Sequence, residues 1–513
     1  MSNFFTFFFD SIKFNSIFVQ DIKILIRQRL TEHLEIMKSK IYLLLILSLS
    51  LFTFSCSDDD DDNSAVVDPT TPNIVEIALA TNELQQLVLA LTAADLVDVL
   101  QGPGPFTVLA PTNAAFTAFY NANGFGSADD VPVDVLTQVL LNHVIMADVS
   151  SSDLVSAGTG YAPGSATNAD GQNISLYYNA SSGVRFNNVS SVSTADIDAS
   201  NGTIHIVDAV IGLPDVVDHA IMNPAAFSSL VAALGAADGD LVSVLQGPGP
   251  FTVLAPDNEA FATFLDGAPL GGVDTAVLSQ ILLNHVIIGS SITSDVLVDA
   301  GAGYTNTGAT GAGGNAMSLY FNTTDGVRFN DVSSVFQADV VATNGVIHAV
   351  DAVIDIPTVV TFAAADPNFS TLVLALTDLT PATDFVEILS RTEAGSPVDM
   401  INPDFTVFAP TNDAFDALIA DLGGNVPAEP LLTDVLKYHV VQEANVTAGD
   451  LNPGANPVSP ILAGSSFTIN VPGTGDNIAD ITDGSGASDI GIIAVDVQAG
   501  NGVIHVLNKV MLP

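Results

Sequence analysis

An eleven-residue phrase occurs three times with little change: FTVLAPTNAAF from Phe106, FTVLAPDNEAF from Phe251 and FTVFAPTNDAF from Phe405. A second phrase follows each in the same order, NGTIHIVDAVI from Asn201, NGVIHAVDAVI from Asn344 and NGVIHVLNKVM from Asn501. The chain is therefore built from tandem copies of one unit. Successive first phrases lie 145 and 154 residues apart, well beyond the roughly 20 to 50 residue period of a solenoid. A unit of about 150 residues buries roughly 68–70% of the surface its unfolded chain exposes, enough to hold its own core without disulfides or metal.

Each copy opens with apolar residues at helical spacing: Leu84, Leu87, Val88 and Leu91; Phe227, Leu230, Val231 and Leu234; Phe369, Leu372, Val373 and Leu376. Steps of three, four and seven place them on one core-facing stripe. Gly-Pro-Gly-Pro breaks the helix in copies one and two, and FTVL then reads as a short buried strand. Thr112 or Asn113, Asp257 or Asn258, and Thr411 or Asn412 are good N-caps for the helix that follows. Paired runs such as ISLYYN and VRFNNV signal a hairpin, and the NG phrase a closing strand entered through a glycine turn. Helices gather in the first half of a copy and strands in the second, which predicts an α+β unit with segregated layers. Boundaries are expected at 73–214, 215–357 and 358–513, with an insertion at 379–404 and a glycine-rich loop at 473–486 in copy three.

The phrase around Ala-Pro-Thr-Asn, the Asn-His-Val or Tyr-His-Val step that follows, and the closing NG phrase together resemble the fasciclin domain across residues 73–513. The resemblance implies a wedge-shaped β-sandwich with helices packed along one side, and a role in cell adhesion and extracellular matrix contact. In animal matrix members a Tyr-His motif is linked to integrin binding. It maps here onto Tyr438-His439 alone, because copies one and two carry Asn142-His143 and Asn284-His285; these six residues are the expected adhesion-motif positions, with the ligand left open.

The chain's 57 acidic residues face only 11 basic ones, for a formal net charge of −46. Six of the basic and four of the acidic residues precede Cys56, which leaves 5 basic against 53 acidic beyond it. A field of that sign repels phosphate backbones, so nucleic acid is excluded as a partner, and it disfavours unaided contact with anionic lipid. Neutral partners and bridging by calcium stay open, and no cofactor is expected.

Met37 to Lys40 is a short basic stretch, Ile41 to Phe54 an apolar run, and Ser55 a small residue before Cys56, the one cysteine present. That order reads as a secretory signal over 37–55, and its end resembles the bacterial lipobox, which would make Cys56 a lipidated anchor. Thr53 and Phe54 depart from the usual pattern. Residues 56–72, with their aspartate run and Thr/Pro content, read as a solvated tether. Residues 1–36 precede a complete signal and read as a mis-called upstream segment. Together these predict a secreted, lipid-anchored protein of the outer membrane that faces the cell exterior or the periplasm.

Six of the eight histidines fall at two repeated sites, His143, His285 and His439, and His205, His348 and His505. The two in each copy lie 62, 63 and 66 residues apart with no clustered partner, which does not suit a metal site. His205 and Asp208, and His348 and Asp351, could pair to orient an imidazole, but copy three has Asn508 in place of the aspartate, and no G-x-S-x-G elbow supplies a nucleophile. His205, His348, His505, Asp208 and Asp351 are expected to be structural and the chain non-catalytic. The leading expectation is a multivalent adhesion or matrix protein contacting surface polysaccharide or protein. The alternative is capture of a small lipid, pigment or glycan ligand in one copy, with copy three as the candidate.

Overall fold

The computed structural model describes residues 71–394 and 399–513. Cys56, the segments 1–36 and 37–55, and all but the last two residues of 56–72 lie outside the described residues.

In copy one the hub is β1 (Phe106–Pro111), every residue of which is buried. Alternate side chains leave opposite faces of a strand, so Phe106, Val108 and Ala110 enter the core beneath the helices while Leu109 enters a second core on the other side. The strand reads as continuously apolar because it has no solvent face. Between them Thr107 is also buried; its hydroxyl donates to the Ala147 carbonyl at 2.6 Å and accepts from the Val149 N–H at 2.8 Å.

The remaining strands are β2 (Val144–Ile145), β3 (Thr159–Thr167), β4 (Asn173–Asn179), β5 (Arg185–Phe186), β6 (Ser190–Ala199) and β7 (Gly202–Val207). They form one seven-stranded mixed sheet in the order β2-β1-β7-β6-β5-β4-β3, with β1 and β7 parallel and the other neighbours antiparallel. Two register shifts in β6 bend the sheet. Its halves double over one another, and Leu109, Leu176, Phe186 and Val207 from strands far apart in the order share a core. Helices Ile74–Ala80, Gln85–Ala93 and Val133–Leu141 close the outer side of β1 and β7. Copies two and three repeat the same strand order. The α+β reading holds, in three successive copies.

The repeated phrases are explained by what they hold. Thr112, Asp257 and Thr411 are the N-caps, accepting from the backbone of Ala115, Ala260 and Ala414. The next residue has a different duty. Asn113 accepts from the Gln86 N–H at 2.8 Å and donates to the Asn82 carbonyl at 2.9 Å, which ties the helix after β1 to the one before it. Asn258 and Asn412 bridge the same two helices.

The asparagine of the closing phrase is a clamp. Asn501 accepts from the Val359 N–H that starts the first helix of copy three, and donates to the Leu389 and Arg391 carbonyls at 2.7 and 2.8 Å. Asn201 and Asn344 make the matching three bonds. Replacing Asn501 by Ala leaves three backbone groups without partners around a site that is 1% exposed. At 1–3 kcal/mol for each unsatisfied group, partly relieved by relaxation, a loss of about 3 kcal/mol is expected, to be read from urea unfolding of the described chain followed in copy three.

Candidate functional site

The Asn-His and Tyr-His positions lie at the end of the helix that precedes β2 and its equivalents, where that helix meets the last residues of each copy. Asn142, His143, Asn284, His285, Tyr438 and His439 are all at most 3% exposed. The Nε2 of His143 accepts from the Ile211 N–H at 2.9 Å, so Nδ1 carries the proton and donates to the Val139 carbonyl at 2.7 Å. His285 bridges Ile281 and Ile354, and His439 bridges Val435 and Met511, in the same way. Burial pushes all three imidazoles down to about 4, against the weaker opposing pull of the helix carbonyl. A neutral ring with both nitrogens occupied pins a helix end to a chain end.

Asn142 donates to the Gly212 carbonyl at 2.8 Å, and Asn284 to the Asp355 carbonyl at 3.1 Å. Tyr438 instead reaches the Ser466 carbonyl at 2.7 Å, with its ring edge-on to Phe467. These six positions hold each copy together from within, and none offers its side chain to solvent.

The second histidine site is equally closed. His205 accepts at Nδ1 from the Asp196 N–H at 3.1 Å and donates from Nε2 to the Val149 carbonyl at 2.9 Å. His348 and His505 repeat this, and burial lowers both below the usual histidine range. Asp208 and Asp351 accept from the Ser191 and Ser334 N–H groups at 2.7 Å. Asn508 accepts from Gly491 at the same distance, since the position requires only an acceptor oxygen. Among the described residues no three His, Cys, Asp or Glu side chains gather in a metal-binding group, and no single helix is long and apolar enough to cross a membrane.

What the sequence reading missed is the junction between copies. Ser175 on β4 accepts from the Val341 N–H of copy two at 3.0 Å, and its counterpart Ser318 accepts from the Gln498 N–H of copy three at 2.9 Å. Tyr161 of copy one packs at a tilt against Tyr177 and meets the ring of His219 edge-on; Tyr304 of copy two packs at a tilt against Tyr320 and meets Phe362 edge-on. The Tyr304 hydroxyl donates to Asp366 at 3.0 Å, and burial followed by that carboxylate pushes the phenol far above its usual range. One signal was available. Val341 and Gln498, both buried, correspond to Asp198 in copy one, which has no copy before it among the described residues.

The fasciclin domain family matches residues 82–214, 225–357 and 367–513. The chain belongs to that family. Its fasciclin copies are 26% identical over 443 residues to human periostin, a match covering 85% of this chain and 46% of periostin. Transforming growth factor-beta-induced protein ig-h3 of Sus scrofa is 26% identical over 461 residues, covering 87% of this chain and 59% of that protein. The chain thus spans about half the length of these two relatives. The uncharacterized protein sll1735 of Synechocystis is 38% identical over 140 residues, 27% of this chain and 97% of its own length, which is the size of one fasciclin copy. A solved FAS1 domain pair from the insect cell adhesion molecule Fasciclin I superposes with a TM-score of 0.34 at 18% identity, covering 53% of this chain and 96% of that one.

Proposed function

We propose that this fasciclin protein is a non-catalytic, surface-anchored adhesion protein that contacts cell-surface or matrix polysaccharide or protein through its three copies. The observation that carries the reading is the repeated junction, with serine bonds of 3.0 and 2.9 Å and a tyrosine set edge-on to a ring of the next copy across each boundary. A chain joined this way offers corresponding outer side chains at intervals. Met146 and Ile288, Val155 and Val298, and Val189 and Val332 are matching residues of copies one and two, each more than half exposed. Weak contacts made by linked modules reinforce one another through effective concentration.

Membership in the family, with the adhesive role that its resemblance implied, supports the same reading. So do the six repeated histidines, each with both ring nitrogens bonded to backbone groups. Anchoring through a lipid on Cys56, at an outer membrane and facing the exterior, is part of the proposal and rests on the sequence. Calcium is the ion expected to bridge so acidic a surface to an acidic glycan.

The test compares residues 68–513 with variants in which the exposed valines and Met146 or Ile288 of one copy, then of two, are changed to serine. Binding to cells of the parent organism and to its isolated surface polysaccharide is measured with calcium and with chelator. Affinity should fall in steps with each copy altered, by on the order of 100-fold in total. Binding that is unchanged until one particular copy is altered would sink the multivalent reading.

A further inference from the structure

Beneath the helices of copy two lies a cavity of about 170 Å³, lined by Ala220, Leu230, Leu245, Val253, Val340 and Ala349 among others. The same place in copy three holds only about 30 Å³. The cause is written in the closing phrase. Ala349 stands opposite Ala255 in the parallel pair of strands, whereas Ile206 stands opposite Ala110 in copy one and Val506 opposite Ala409 in copy three. Copy two alone sets two alanines side by side on the cavity floor, and a void left empty there forfeits the dispersion contacts of every side chain around it.

The exposed members of the lining mark the mouth. They are Thr159 of copy one and Phe336 and Gln337 of copy two, with Tyr161 between them at the junction. Here the two junctions differ. Tyr304 closes the second by donating to Asp366, but the first has Asn223 at the aspartate's position, and the buried Tyr161 hydroxyl faces it without closing a hydrogen bond. A buried hydroxyl without a partner at the entrance to an apolar cavity calls for one. Inside, His285 has no free nitrogen to offer, since both are bonded to backbone.

We propose that copy two binds one small apolar molecule with a single polar end, its ring or short alkyl chain filling the space above Ala255 and Ala349 and its hydroxyl or carbonyl meeting Tyr161. The size follows from volume, because a dry cavity of roughly 150 Å³ lined by aliphatic and aromatic side chains accepts benzene or xenon. Copy three, the expected place for such a ligand, lacks the room.

Benzene and phenol are the probes, added to residues 68–513 and followed by ligand-detected NMR and by the shift in unfolding temperature. Saturable binding of one molecule per chain is expected, with phenol tighter than benzene. Ala349→Ile and the milder Ala349→Val introduce the residues found in copies one and three, so both should fold, and Ala349→Ile should weaken both probes by 10-fold or more. Tyr161→Phe should bring phenol down to the level of benzene. Absence of saturable binding, or binding untouched by both Ala349 variants, would overturn the site. Phenol binding no tighter than benzene in the parent chain would overturn the polar end.

Discussion

Taken from pH 7 to pH 4, copy two is expected to lose its tertiary structure before copies one and three. His219 and His285 are fully buried there, and burial pushes each down to about 4 from 6.5. A base whose folded pKa is depressed contributes stability that is present above its unfolded pKa and is lost as pH falls toward the folded value. The window is therefore pH 6.5 to 4. At 1.36 kcal/mol per unit, each such histidine is worth about 3 kcal/mol across it. Copy two loses about 6 kcal/mol from this pair, and His348 adds in the same direction. Copy one has His143 in this class, and copy three has His439, with His505 adding in the same direction.

A loss of that size is comparable to the whole stability of an ordinary domain. Hydrogen exchange read by mass spectrometry at pH 7, 5.5 and 4 would locate the opening, after correction for the intrinsic rate at each pH. His219→Phe should restore copy two at pH 4 by about 3 kcal/mol. Copy three already carries Phe362 at that position, and the substitution gives up a single bond, from His219 Nε2 to the Val341 carbonyl at 3.2 Å. Opening that begins in copy one or three, or an acid response unchanged by His219→Phe, would contradict the argument.

The repeat, the α+β class, the helix stripes and the fully buried strand were legible because each depends on local pattern. The three N-caps were legible too, within one residue. What the second residue of each pair does was not, since Asn113 acts on a helix 27 positions earlier in the chain and only the fold brings them together. The same holds for the motif histidines. A sequence shows that His143 recurs, but its burial follows from the sheet doubling over and the chain returning at Ile211 to meet it.

His205 and Asp208 show how proximity in sequence misleads. The strand ends at Val207, so Asp208 lies past it and accepts from Ser191 while His205 bonds Asp196 and Val149. His219 escaped notice because it does not recur, and its importance is visible only at the junction. The cavity, by contrast, could have been found by aligning the three closing phrases and asking why Ala349 is small.

Gly202→Ala is expected to destabilise copy one by at least about 4 kcal/mol, the range in which a single change is diagnostic of a specific steric conflict. The glycine opens β7 at φ +146°, and a Cβ placed on it would lie 1.9 Å from the Phe106 carbonyl oxygen and under 3 Å from that residue's nitrogen and carbon. Every one of these atoms belongs to the backbone of β1, so no side chain can swing aside. Gly345 and Gly502 meet Phe251 and Phe405 at 2.2 and 2.1 Å in the same way. The Asn-Gly pair thus has two inseparable duties: the asparagine ties the first helix to the turn before β1, and the glycine lets the closing strand lie close enough to β1 for the asparagine to reach. Moving β7 outward to admit a methyl group would also disturb the parallel ladder from Phe106 to Pro111 and the clamp at Asn201. Gly235 supplies the control, since it lies near the end of a helix and a methyl group added there would meet nothing within 4 Å; there alanine should stabilise by about 0.5–1 kcal/mol. Urea unfolding of the two variants should therefore move in opposite directions, and a Gly202→Ala chain within about 1 kcal/mol of the parent would mean that the strands can part without cost.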